Sequence, residues 1–106
     1  MEPNLKKYPN FYKKFKWNHA KKEISWFPNN RLNAAYNAVD KHTKTWRKNK
    51  IALYYEDETS SSKYTYQELS MLSNKFANVL KQLGVKKGDR VFIFLPRIPE
   101  LYICFL

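Results

Sequence analysis

Four kinds of residue in this chain could do chemistry: the thiol of Cys104, the imidazoles of His19 and His42, the run Ser60-Ser61-Ser62, and the paired carboxylates Asp57-Glu58. Cys104 sits within LYICFL, and a thiol in an apolar run is packing rather than an activated thiolate. Neither histidine has a Cys or a second His at ligand spacing, so no metal site is expected from them. The serines have no base beside them, and Asp57 and Glu58 read as solvated charge in the same loop rather than an acid–base pair. Asp40 and His42 stand two apart on a predicted helix and so do not face each other. Gly84 and Gly88 are the only glycines, which rules out a phosphate-cradling loop of the P-loop or dinucleotide type. The residues therefore assign no catalytic, no cofactor-binding and no metal-binding position within the chain.

The elements that would have to position such groups are nonetheless legible. KIALYYEDE alternates like a strand, ETSSS is a polar turn, and KYTY returns as the second strand of a hairpin. TYQELSMLSNKFANVLKQLGVKKGD follows. Thr65 and Glu68 form a T-x-x-E capping box, and Leu69, Leu72, Phe76, Val79, Leu80 and Leu83 hold one helical stripe. Gly84 ends that helix, and Lys86-Lys87-Gly88-Asp89 is a turn. VFIFL, Val91 to Leu95, is an unalternating apolar run of the kind found in a strand covered on both faces. Strand, helix, strand in this order predicts a βαβ crossover and an α/β class. Pro96 stops the strand, and Pro99 with Glu100 opens a further helix that runs into ELYICFL.

Upstream, NNRLNAAYNAVDKHTKTW places Leu32, Ala35, Tyr36, Val39 and Trp46 at helical steps. The spacing predicts one helix, capped by Asn29 or Asn30 and ending among Lys41, His42 and Lys44. The lead before it is aromatic and basic. Tyr8, Phe11, Tyr12, Phe15 and Trp17 have a loosely helical spacing, expected as a short helix or arm lying on something larger, and Trp26 and Phe27 precede the stop at Pro28.

Composition narrows the classes of function. The chain has 106 residues, 43% hydrophobic and 17% aromatic, which excludes a disordered polyelectrolyte despite a net charge of +11. Residues 1–50 carry +10 of that charge and residues 51–106 only +1. Sixteen of the 20 cations are Lys, which lacks the guanidinium fork suited to reading phosphates and bases, so nucleic acid is not the expected partner. A basic nucleic-acid-binding or protein-docking module is the alternative this asymmetry keeps open. The first 17 residues have no apolar core or cleavage site of a targeting peptide. The final 16 are too short and too broken by Pro96, Arg97, Pro99 and Glu100 to span a bilayer, so no membrane is expected. A single Cys fits a cytoplasmic setting.

Taken in order, NLKKYPNFYKKFKW, Trp26-Phe27, RLNAAYNAVDKH, NKIALYYEDE, KYTYQEL and SNKFANVLKQLGVKKGDRVFIFLPRIPEL resemble the N-terminus of the AMP-forming acetyl-coenzyme A synthetases, within the adenylate-forming acyl-CoA synthetase superfamily. The Tyr-x-Glu-Leu, Gly-Asp-Arg-Val and Pro-x-x-Pro-Glu elements are shared across that superfamily, while the Leu-Asn-x-x-Tyr…Asp-x-His block and the Trp-rich lead are closer to its acetate branch. Lys41 stands where that branch more often carries Arg. The resemblance implies a ligase that uses ATP, Mg and coenzyme A to convert acetate into acetyl-CoA, AMP and diphosphate. It implies residues 1–48 as an aromatic, basic helical extension and residues 49–106 as the incomplete start of the AMP-binding domain. The phosphate loop, ribose-binding acid and C-terminal lysine of such enzymes have no counterpart here, so no residue role is carried over. The 106 residues are accordingly expected to be an inactive N-terminal fragment that binds none of these cofactors. With VFIFL and the following helix uncovered, marginal stability and self-association are expected.

Overall fold

Contacts in the computed structural model, which describes residues 7–106, divide the chain into one unit ending at Leu32 and another from Asn33 to Leu106. The resemblance to NLKKYPNFYKKFKW begins at Asn4, so its first residues, 4–6, lie outside the described residues.

In the first unit the aromatic lead forms two helices, α1 (Tyr8–Lys14) and α2 (Trp17–Glu23). Phe15 and Lys16 between them are extended, and the Phe15 and Trp17 rings meet edge-on at 5.4 Å across that break. Seven residues are too few for a helix to persist on propensity alone, so each depends on such ring contacts. Beyond α2 the Trp26 indole N–H donates to the Lys21 carbonyl at 3.0 Å. A 3₁₀ turn, Pro28–Asn30, is closed by the Phe27 N–H donating to the Arg31 carbonyl at 2.9 Å. Asn29 and Asn30 hold positive φ of 63° and 55°, a conformation asparagine tolerates. They build this turn and do not cap the next helix, contrary to the expectation from the sequence.

That cap is Asn33, whose Oδ1 accepts the Tyr36 N–H at 2.8 Å and opens α3 (Ala34–Ala38). The single helix expected as far as Trp46 is not formed. Its path breaks at Val39 (φ −126°, ψ −62°) and continues as two 3₁₀ segments, Asp40–Lys44 and Trp46–Asn49. The threonines explain the change. The Thr43 and Thr45 hydroxyls donate to the carbonyls of Asp40 (2.7 Å) and His42 (2.9 Å), and Thr45 Oγ1 accepts the Arg47 N–H (3.2 Å). Such local bonds compete with the α-helical ladder.

β1 (Ile51–Glu56) and β2 (Ser61–Thr65) form the expected antiparallel hairpin, with register running from Glu56–Ser61 to Ile51–Thr65 and an irregularity between Ile51 and Leu53. α4 (Tyr66–Gln82) begins on the residue after β2 ends. Thr65 is both the last strand residue and the helix cap, so the chain passes from sheet to helix without a linker. At its other end the Gly84 N–H reaches the Lys81 carbonyl and the Val85 N–H the Leu80 carbonyl, both at 3.0 Å, with Gly84 at φ 81°. That pair of bonds is a Schellman stop, which a Cβ at Gly84 would strain. α5 (Pro99–Phe105) starts at its proline, with Glu100 in the first turn.

The core of this unit forms where the first turns of α4 meet the hairpin, α5 and the 3₁₀ segments. Val39, Leu69 and Pro99 are buried there, and Ser70 donates to Asp40 Oδ1 at 2.5 Å, tying α4 to the Asp40–Lys44 segment. In the apolar stripe of α4, Leu72, Phe76 and Leu80 are half-buried while Val79 and Leu83 are exposed.

The mixed α/β class stands, but its third expected strand does not pair. Val91–Leu95 is outside any ladder, and Phe92 and Phe94 are 92% and 103% exposed. A strand requires a neighbour for its N–H and C=O groups, and the one sheet among the described residues is the β1–β2 hairpin. The crossover is therefore present as strand and helix, with its closing strand left without a partner.

Candidate functional site

Asp57, Ser60, Glu68, Asp40 and His42 are each engaged in local structure. Asp57, at the start of the hairpin loop, accepts from Tyr55 Oη (2.7 Å), the Thr59 and Ser60 backbone N–H groups (2.8 and 2.7 Å), and both their hydroxyls (3.0 and 2.9 Å). The Tyr55 hydroxyl, with the loop amides after it, holds this carboxyl well below the usual carboxylate range, and the same bond raises the Tyr55 phenol. A carboxylate so saturated is a loop clasp, not a proton acceptor for a reaction. Ser60, one of the serines considered as nucleophiles, is a donor within that clasp.

Glu68 is lowered in the same way by the Thr65 backbone N–H and hydroxyl, both at 2.8 Å from its Oε2. His42 lies against the Tyr66 ring at 4.8 Å, and burial, reinforced by the nearby Arg47 and Lys41 charges, lowers its pKa. Asp40 is bonded to Ser70, so the Asp40/His42 pair is not brought together as a dyad. Cys104 is a half-buried thiol on α5. No group of three or more His, Cys, Asp or Glu that could hold a metal occurs among the described residues.

The glycine-containing stretch after α4 is the nearest analogue of a phosphate loop. Its amides at Gly84, Val85 and Asp89 are bonded to carbonyls within the stretch and α4, and that of Lys86 to the Asp89 carboxylate at 2.7 Å. An anion needs free amides pointing at it, and these point inward.

Two cavities show what the sequence did not. In the second unit, Val39, Leu53, Tyr66, Leu69, Tyr102 and Phe105 are among the side chains lining a space of about 280 Å³. No charged side chain borders it, so it can seat an apolar group but cannot polarise one. In the first unit, Phe11, Lys14, Phe15, His19, Ala20 and Glu23 line a space of similar size between α1 and α2. Helical periodicity marks which faces are apolar but not which are left short of partners, so neither space was legible beforehand. Trp46, 78% exposed, carries Arg47 and Lys50 over its ring at 5.2 and 5.9 Å. Cations of its own chain thus lie over that ring. No helix of the described residues is long and apolar enough to cross a membrane.

Against known proteins, residues 39–106 match the family described as AMP-binding enzyme. The chain is 52% identical over 104 residues to the acetyl-coenzyme A synthetase of Bacillus subtilis, a span that takes in 97% of this chain and 18% of that protein. It is 53% identical over 83 residues to the acetyl-coenzyme A synthetase of Methanothrix thermoacetophila, covering 76% of this chain and 13% of the relative. To the 3-hydroxypropionyl-coenzyme A synthetase of Sulfurisphaera tokodaii it is 53% identical over 76 residues, 71% of this chain and 12% of the relative. The chain thus spans less than a fifth of the length of each of these relatives.

Proposed function

The chain belongs to the AMP-binding enzyme family, and on that premise we propose that it is the N-terminal part of an acetate–CoA ligase, which forms acetyl-CoA, AMP and diphosphate from acetate, ATP and coenzyme A with Mg. The observation that carries this reading is the 52% identity sustained over 97% of the chain with an acetyl-coenzyme A synthetase. On this reading residues 1–48 are the aromatic, basic lead and residues 49–106 the start of the adenylate-forming domain, working in the cytoplasm. Their contribution is architectural. The hairpin, the capped α4 and the run into α5 present the apolar faces on which the rest of the domain is laid, and no residue among them touches substrate.

On this reading the 106 residues alone catalyse neither half of the reaction, since the sequence carries no phosphate loop and the Asp57, Ser60, Glu68 and Asp40 side chains are held in local hydrogen bonds. The exposed Val91–Leu95 run supports association of this chain with itself.

The test is a chimera in which these residues replace the matching segment of the Bacillus subtilis relative. AMP formation that requires acetate, ATP and coenzyme A, within about tenfold of the parent, is the expected result. A folded chimera without activity would overturn the assignment, and AMP formation by the 106-residue chain alone would overturn the architectural role.

A further inference from the structure

From Lys41 to Tyr55 the sequence contains no Asp or Glu, and its first ten residues carry five cations, Lys41, Lys44, Arg47, Lys48 and Lys50. Every residue from Lys44 to Lys50 is exposed, Trp46 among them. Among the described residues, Lys44, Arg47, Lys48 and Lys50 have no carboxylate within ion-pair reach. Three of these cations lie over rings instead: Lys44 over Tyr36 at 5.9 Å, and Arg47 and Lys50 over Trp46. The carboxylates of Asp40, Asp57, Glu68 and Asp89 accept from hydroxyls and backbone amides, and so offset none of this charge. This surface differs in kind from the apolar faces of α4, α5 and residues 91–95. Burying four unpaired cations under further chain costs far more than packing returns, so the surface stays in water or meets an anion.

We propose that residues 44–50 are a docking surface for a layer of anionic lipid headgroups, which they touch without entering the bilayer core. Charge complementarity selects an anion, and the residue types select a layer. Three of the four exposed cations are lysines, whose ammonium groups act as point charges and need no fixed geometry from the phosphates they meet. Trp46, in their midst, is the side chain that settles where one side is apolar and the other wet, as at the level of lipid headgroups. A small anion needs donors converging in a concavity, whereas these cations are spread along the two 3₁₀ segments and Lys50 beyond them. Reading nucleic acid calls for guanidinium forks, and Arg47 is the one arginine here. Each cation close to an anionic layer is worth about a fivefold change in partitioning.

Co-sedimentation with vesicles tests the surface and reads no activity, so its outcome is separate from that of the ligase assignment. The chain should bind vesicles of equal phosphatidylcholine and phosphatidylglycerol, not bind phosphatidylcholine alone, and be released as salt rises. Changing Lys44, Arg47, Lys48 and Lys50 together to Gln should lower binding at least ~tenfold, with the far-ultraviolet signal unchanged because all four are exposed. Changing Lys13, Lys14, Lys21 and Lys22 to Gln removes the same charge from the first unit and should leave most of the binding in place. With Trp17→Phe and Trp26→Phe, Trp46 is the remaining indole, and its emission should shift to the blue on the mixed vesicles. Absence of binding, equal binding to neutral vesicles, equal loss in the two fourfold variants, or an unshifted Trp46 emission overturns the proposal. Binding to polyuridylate that persists at salt concentrations releasing the vesicles assigns the surface to nucleic acid and overturns it as well.

Discussion

Thr65→Ala tests the junction on which the second unit turns. Thr65 closes β2 against Ile51 and caps α4 in one residue. Its hydroxyl accepts the Glu68 N–H at 3.2 Å and donates to Glu68 Oε2 at 2.8 Å, while its own N–H donates to the same carboxylate oxygen at 2.8 Å. Alanine removes the hydroxyl and leaves the Glu68 N–H without its acceptor, but keeps the backbone bond from residue 65 to the carboxylate. Loss of such a cap costs about 1 kcal/mol, which lowers the helix equilibrium constant about fivefold. α4 is the longest element of the fold and carries Leu69 into the core, so the loss is not confined to one turn. The assay is helix content by circular dichroism at 222 nm through a urea series, comparing Thr65→Ala with Thr65→Ser. Serine retains the acceptor and should restore most of the loss. An alanine variant indistinguishable from the parent, or serine no better than alanine, would refute the capping box as the determinant of this junction.

Leu69→Ala should cost about 2–5 kcal/mol, since the removed methyl groups border an apolar space that enlarges instead of closing; in so small a core that abolishes the folded population, and a retained native spectrum would contradict it. The isolated 106-residue chain should melt broadly and bind a hydrophobic dye, because Val79 and Leu83 of the α4 stripe and most of the Val91–Leu95 run are exposed; a sharp cooperative melt of the monomer would refute this. His42 has a folded pKa below the ordinary histidine value because it is partly desolvated and lies near the Arg47 and Lys41 charges. The unfolded state therefore binds the proton more readily: stability is fully present above the ordinary histidine value, falls as pH drops from there to the folded value, and is flat below it. His42→Gln should remove that slope from the pH dependence of urea midpoints, and an unchanged slope would locate it elsewhere. Asp57→Asn should open the hairpin loop, seen as loss of amide-exchange protection at Thr59 and Ser60, two of its donors; unchanged protection would show that the clasp is not what orders the loop.

What the sequence determined by itself is what neighbouring residues settle among themselves. The capping box of Thr65 and Glu68, the stop at Gly84, the β1–β2 hairpin with its polar loop and the proline-led start of α5 all rest on bonds reaching at most five residues along the chain or on a strand folding back through a short turn. The absence of an assigned catalytic residue followed from composition, and the family resemblance from colinear motifs. Tertiary structure decided the rest. The helix expected from Leu32 to Trp46 carries a good apolar face, yet threonine hydroxyls bond nearby carbonyls, and Val39 turns into the core beside Leu69. Val91–Leu95 has the composition of a buried strand, but a strand exists only with a neighbour to complete its hydrogen bonds. Hydrophobic periodicity names the face that must be covered; only the fold decides whether anything covers it.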